Sequence, residues 1–354
     1  MKKENEFIIN LMMCRHNNES VKSVKKLISD DLNWEYISYQ IIMNRIAALI
    51  VENLLYCEIV FDIPKSILIY LLDSYTSIQH RFDNYKNELK VISTALKEKN
   101  IEYVTIKGIH LSLTLYTHFR MNPRDFADID IVVKKQDLEQ LGKVLMGLGY
   151  EHARVNYYTN EMEQISRGEI LNGKMFYHQI PPYEKKFKQY FIGRDTYKVD
   201  ANYTIFEGGQ HDDPILVSEL LKSRVLQSHE GLTYYSLKPE HDLIQLCFHF
   251  YKDIMYPPKN ERKDVYKLIN FYDIYLFINK YRKILDYNYL LGLCLNNEKL
   301  KNSLYIVLTL TERVFGDLQI GNFINKLNII IPEYLESIFL SDIEKIVFEN
   351  KKYE

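Results

Sequence analysis

Residues 127–133, Ala-Asp-Ile-Asp-Ile-Val-Val, set two acids inside a run whose β-branched residues otherwise favour a strand. Alternate side chains of a strand face opposite ways, so Asp128 and Asp130 share one face while Ala127, Ile129, Ile131 and Val133 share the other. The two acidic Cα atoms then lie about 6.5–7 Å apart, within reach of one divalent ion. Like charges facing the same way repel, so this pattern requires a cation nearby. Mg2+ is the expected one, because it prefers carboxylate and phosphate oxygens. The structural alternative is an edge strand with an apolar inner face and a solvated acidic outer face.

The surrounding pattern is helical, then mixed, then helical. Ile37, Ile41, Ile42, Ile46, Leu49, Ile50 and Leu54 recur at spacings of three and four, and a second such stretch, Ile67 to Leu96, follows Pro64. Between about residues 101 and 206 strands are expected at 101–106, 127–133, 150–157 and 197–206, with helices after Gly108 and over Gln136–Leu148. From Pro239 the helical spacing returns, interrupted at Pro257-Pro258, and a further helical tail is expected after Pro332. The fold class is therefore α+β, with a helical N-terminal region (1–94), a mixed core (95–210) and a helical C-terminal domain (211–354).

Two further elements bear on chemistry. Over 197–206, Lys198, Asp200, Asn202 and Thr204 alternate with Val199, Ala201, Tyr203 and Ile205, which makes one face polar with Asp200 near its middle. A third carboxylate on a neighbouring strand would complete a site for two metal ions, the arrangement that serves in-line displacement at phosphorus. Thr105-Ile106-Lys107-Gly108-Ile109 reads as a strand turning into a helix, where free N–H groups, a glycine and the Lys107 charge suit a phosphate. Taken singly, each also reads as ordinary structure: a lone acid, and a plain strand-to-helix turn.

In this order, strand, Gly turn, helix, D-x-D strand and lone Asp, the chain resembles the polymerase-β-like nucleotidyltransferases. More narrowly, Ile106-Lys107-Gly108, then Tyr116, Arg124 and Asp128-Ile129-Asp130, resembles the "KG…Y…RxxxDIDhhV" pattern of a bacterial family known as uncharacterised nucleotidyltransferases. Asn33-Trp34-Glu35 with Asn44-Arg45, Tyr177-His178 with Pro181-Pro182, Glu240 to His249, and Lys267 to Asp273 extend the likeness over most of the chain. The resemblance implies a polymerase-β-like core, Asp128, Asp130 and Asp200 as catalytic and metal-binding carboxylates, and Lys107, Gly108 and Arg124 beside the triphosphate. The sequence departs from the pattern at Ile109, where the wider superfamily usually has Ser. It departs again at Asp200-Ala201-Asn202-Tyr203, where the family commonly has an acid, a hydrophobic residue, His and Trp; losing that His bears on how an acceptor is positioned.

The expected activity is Mg2+- or Mn2+-dependent transfer of a nucleoside monophosphate, with ATP as the leading donor, and release of pyrophosphate. With 45 Lys plus Arg against 47 Asp plus Glu the formal charge is −2, which favours a small-molecule or peptide/protein acceptor over a long polynucleotide. A tRNA end, needing only a local basic groove, is a less favoured partner. The alternatives are a catalytically silent nucleotide-binding or interaction module of the same fold, and a toxin that nucleotidylates tRNA or protein. No stretch reaches the roughly 18–20 apolar residues of a membrane span, and the first residues do not read as a secretory leader. Four scattered cysteines without metal-ligand spacing suit a cytoplasmic protein with buried thiols. Tyr157, Tyr158, Tyr177 and Tyr183 are candidates to stack a base, and Lys185-Lys186-Phe187-Lys188 is a candidate anion-binding run or a solvated face.

Overall fold

The computed structural model describes residues 1–156, 159, 161–176, 179–187, 196–206, 213–255, 266–327, 329, 344, 347 and 348. Tyr157, Tyr158, Tyr177, His178, Lys188, Pro257-Pro258 and most of the tail after Pro332 lie outside these residues. The chain forms two compact units. One comprises Met1–Gln79, Leu115–Asp125 and Leu246–Glu354, and the other His80–Thr114 and Phe126–Gln245. The division follows contacts, not the three consecutive segments read from the sequence, because helices from both ends of the chain cluster together.

The first unit is helical. Its N-terminal helices are Lys3–Met13, Asn18–Leu27, Trp34–Met43 and Ala47–Tyr56, followed by the start of the long helix Lys65–Glu98. Asn17 and Asn33 cap the second and third by accepting from the N–H groups of Glu19 and Tyr36, and Pro64 precedes the long helix. Leu268–Tyr281, Tyr287–Cys294, Glu298–Phe315 and Gly321–Leu327 supply its C-terminal part.

The second unit carries the strands: β1 (Tyr103–Ile106), β2 (Ile129–Val133), β3 (Ala153–Asn156), β4 (Glu161–Gln164), β5 (Tyr183–Lys186), β6 (Thr196–Asn202), β7 (Val225–His229) and β8 (Leu232–Ser236). Four of them form a mixed sheet in the order β1-β2-β6-β5, in which β2 runs antiparallel to β1 and parallel to β6. β2 is thus an interior strand, which removes the edge-strand reading of Asp128 and Asp130. Ile129, Ile131 and Val133 of β2 join Val199 and Ala201 of β6 in a core with Leu89, Ile92 and Leu96 of the long helix and Leu141 and Leu145 of helix Leu138–Gly147. Each buried Ile, Leu or Val contributes about 1.5–3 kcal/mol, so slipping β2 by one residue, which would turn Asp130 into the core, is strongly disfavoured.

β2 begins at Ile129, which leaves Asp128 just ahead of it, and β3 pairs only with β4, in a separate hairpin. A second hairpin, β7–β8, lies within the stretch expected to be helical. Its two loop residues, Glu230 and Gly231, both have positive φ (46° and 77°), the tight turn that suits right-twisted strands. All four cysteines are buried and free, and among the described residues no helix is long and apolar enough to cross a membrane.

Candidate active site

Strand register brings the acids together. Asp130 of β2 lies opposite Asp200 of β6 and, on its other side, opposite Ile106 of β1, the last residue before Lys107. Asp130 and Asp200 are 5% and 6% exposed, so both carboxylates need partners. Asp130 Oδ1 stands 3.5 Å from Lys107 Nζ and 3.4 Å from Asn202 Nδ2. Asn202 Nδ2 also lies 3.5 Å from the carbonyl oxygen of Ile131 and 3.2 Å from that of Asp200, so its contacts to Asp130 and Ile131 tie β2 to β6.

Lys198 supplies the cation that the pattern requires. Two residues before Asp200 on β6, it shares that residue's face. Its Nζ lies 3.1 Å from Asp200 Oδ2 and 3.9 Å from Asp128 Oδ2. Burial works against the Lys198 charge, but Asp200, Asp128 and Asp130 outweigh it and hold its pKa above the ordinary value. Burial pushes the Asp200 carboxyl up to about 7; Lys198 opposes the rise, and Asp130 and Asp128 add to it.

The turn beside these acids is built for close approach. Lys107 has a left-handed backbone (φ 51°), uncommon for a residue with a side chain, and Gly108 is non-helical, so the regular helix begins at Ile109. A Cβ at Gly108 would stand 3.2 Å from the backbone oxygen of Asp128. The glycine therefore serves the backbone that carries Asp128. The buried Tyr85 hydroxyl donates to Ala127 O at 2.6 Å and accepts from the Lys198 N–H at 3.3 Å. One side chain of the long helix thereby fixes the starts of both acidic segments.

No set of three or more His, Cys, Asp or Glu side chains is positioned to hold a metal ion among the described residues. The donor chemistry nevertheless suits a hard divalent cation: Asp130 stands opposite Asp200 on the paired strands, Asp128 and Asp200 share Lys198, and Asp200 Oδ1, fully buried, finds no hydrogen-bond partner.

A model of the uncharacterised nucleotidyltransferase family matches residues 30–316. The chain belongs to that family. As a nucleotidyltransferase it is a transferase whose substrate is a nucleotide. Among solved structures it is similar to an antigenic nucleotidyltransferase-like protein from Paracoccidioides brasiliensis, with 15% identity over 69% of this chain and 93% of that one. The TM-score is 0.34, too low to carry an argument. No curated protein matches.

Within this nucleotidyltransferase, the residues expected at the site divide. Asp128, Asp130, Asp200, Lys107 and Gly108 come together in the second unit. Arg124 stands in the first, where Nε and Nη2 bond both oxygens of Asp273 at 2.7–3.1 Å and Nη1 faces the carbonyl of Asp125. Burial disfavours the Arg124 charge and Asp273 restores it. The Tyr116 hydroxyl donates to the same carboxylate at 2.7 Å, so three residues of the family pattern form one buried knot. Tyr183 is buried in the core, and Lys185 is taken by Glu88. Lys198 stood within the alternating face without a role, and Tyr85 carried no signal beyond helical periodicity.

Proposed function

We propose that the second unit is a polymerase-β-like catalytic core that moves a nucleoside monophosphate, AMP first among the candidates, from an NTP to an acceptor with release of pyrophosphate. The observation that carries this reading is Asp130 set opposite Asp200 across two paired strands, with Lys198 between Asp200 and Asp128 and one buried carboxylate oxygen lacking a donor. These three carboxylates would hold Mg2+ or Mn2+, which when bound supplies charge neutralisation for the phosphates and acidifies an attacking hydroxyl. Lys107 holds a positive charge at the mouth of the turn, suited to a phosphate oxygen. Asn202 orients Asp130 against Asp200. Arg124 is left out of the phosphate contacts because Asp273 already engages its guanidinium. We assign a small-molecule or peptide/protein acceptor in the cytoplasm on the near-neutral charge and free thiols, ahead of a tRNA end.

A second reading has one observation behind it. Lys198 already pairs with Asp128 and Asp200, so a silent module could keep the carboxylates as a fixed ion-pair network. Incubation of the full chain with each α-labelled NTP, Mg2+ and a cell extract separates the two. Active protein transfers label to an acceptor, and Asp128→Asn or Asp130→Asn reduces that transfer by about 10³ or more while leaving the fold intact. Nucleotide binding without transfer under every donor supports the silent module.

A further inference from the structure

The cation that neutralises the acids in this structure belongs to the chain itself. Lys198 Nζ touches Asp200 Oδ2 on its own strand and approaches Asp128 Oδ2 ahead of the neighbouring one. Its side chain is 33% exposed, whereas that of Asp200 is 9% exposed, so the ammonium sits on the open side of a buried carboxylate. The other Asp200 oxygen is buried without a donor, which leaves the pairing incomplete. A four-carbon stem can move its charge by several ångströms at little cost, and an ammonium makes no fixed, directional fork.

We infer that Lys198 is an exchangeable counter-ion: it occupies the carboxylates until a nucleotide–metal complex arrives, and then yields Asp128 and Asp200 to the metal and turns its charge to the polyphosphate. This inference rests on the metal-dependent reading of the site. Its physical basis is competition, because an ammonium and a divalent ion need the same oxygens. The cost of displacing the lysine falls on metal binding when metal comes alone, and is offset when polyphosphate provides the lysine with a new partner. Metal and nucleotide therefore bind with positive coupling, and Lys198 carries that coupling.

The test is Mn2+ binding by the full chain, measured from the free-ion electron paramagnetic resonance signal, alone and with α,β-methylene ATP, the latter read as the signal lost beyond a protein-free titration of the same analogue, which itself chelates Mn2+. Wild-type protein should bind Mn2+ weakly alone and at least about tenfold more tightly with the analogue. Lys198→Met should bind Mn2+ alone about tenfold more tightly than wild type, and the analogue should add little; Lys198→Arg, which keeps the charge, should remain coupled. Thermal unfolding gives a second measure: Mn2+ should raise the Tm of Lys198→Met, or of Lys198→Gln if the first variant does not fold, more than that of wild type. Equal Mn2+ affinity in wild type and Lys198→Met, lost in Asp200→Asn, would overturn the role of Lys198 and leave the metal site standing. Absence of Mn2+ binding in every protein, with and without the analogue, would remove the metal-dependent reading and this inference with it.

Discussion

The Tyr85 hydroxyl donates to the carbonyl of Ala127 at 2.6 Å and accepts from the N–H of Lys198 at 3.3 Å, so one helix side chain joins the residue before Asp128 to the residue two before Asp200. The phenol thus bridges a backbone carbonyl and an N–H of two neighbouring segments. Tyr85→Phe removes only the oxygen. The expected loss is about 1–2 kcal/mol in urea unfolding, because a part-buried carbonyl is left without its donor. Mn2+ and nucleotide binding should weaken by more than the stability change explains, since Asp128 and Asp200 lose their common anchor. Unchanged binding with reduced stability would make Tyr85 a packing residue alone.

Gly108→Ala addresses the turn that carries Lys107. The added methyl would meet the Asp128 carbonyl at 3.2 Å and the Phe126 Cβ at 3.4 Å. Neither can swing away as the end of a flexible side chain would. The expected cost is about 1–3 kcal/mol, with Asp128 displaced and metal binding weakened. Gly147→Ala is the control: nothing lies within 4 Å of its added Cβ, and in a helix the change should be neutral or stabilising by up to about 1 kcal/mol. Thermal melts of the two variants, with Mn2+ titrations, check both statements.

Arg124 and Asp273 form a buried bidentate pair in the helical unit, with Tyr116 on the same carboxylate. Arg124→Ala or Asp273→Ala leaves one charge uncompensated and should cost about 3–5 kcal/mol. Arg124→Lys should also destabilise, because a single ammonium cannot reproduce the fork. A double-mutant cycle measured by chemical denaturation should show coupling well above that of an exposed pair. If Arg124 instead contacts phosphate, Arg124→Ala will raise KM for the nucleotide with stability unchanged.

The parts of this molecule that periodicity controls were legible in advance. Ile129, Ile131 and Val133 alternate with Asp130 because successive side chains of a strand face opposite ways and one face packs in the apolar core, and Val199 and Ala201 repeat the rule around Asp200. The helices at both ends follow from spacing and from the Pro64 signal. What sequence order could not show is which polar groups meet. Lys198 and Asp128 are neighbours only because β2 and β6 pair, and Arg124, Tyr116 and Asp273 meet across a sequence separation of about 150 residues. The β7–β8 hairpin did have a local signal in Glu230-Gly231, which the expectation of a helical C-terminal region overrode.

Acid should weaken the sheet-bearing unit through His241. This residue, 2% exposed on helix Pro239–Met255, has Nδ1 3.3 Å from the Ser223 hydroxyl. Burial lowers its pKa to about 4; Lys238 adds to the shift and Glu240 opposes it. In the unfolded chain an ordinary histidine takes up its proton near pH 6.5. Above that pH both states are neutral at this residue and it contributes nothing to the pH dependence. As pH falls from about 6.5 towards 4, the unfolded state gains a proton that the folded state refuses, and stability declines by an amount on the order of 2–3 kcal/mol. His241→Gln should therefore flatten the pH dependence of the urea midpoint over that window relative to wild type. It should leave the dependence above about pH 7 unchanged. Superimposable profiles for the two proteins across the acid window would show that His241 is protonated in the folded chain, against the burial that the structure gives it.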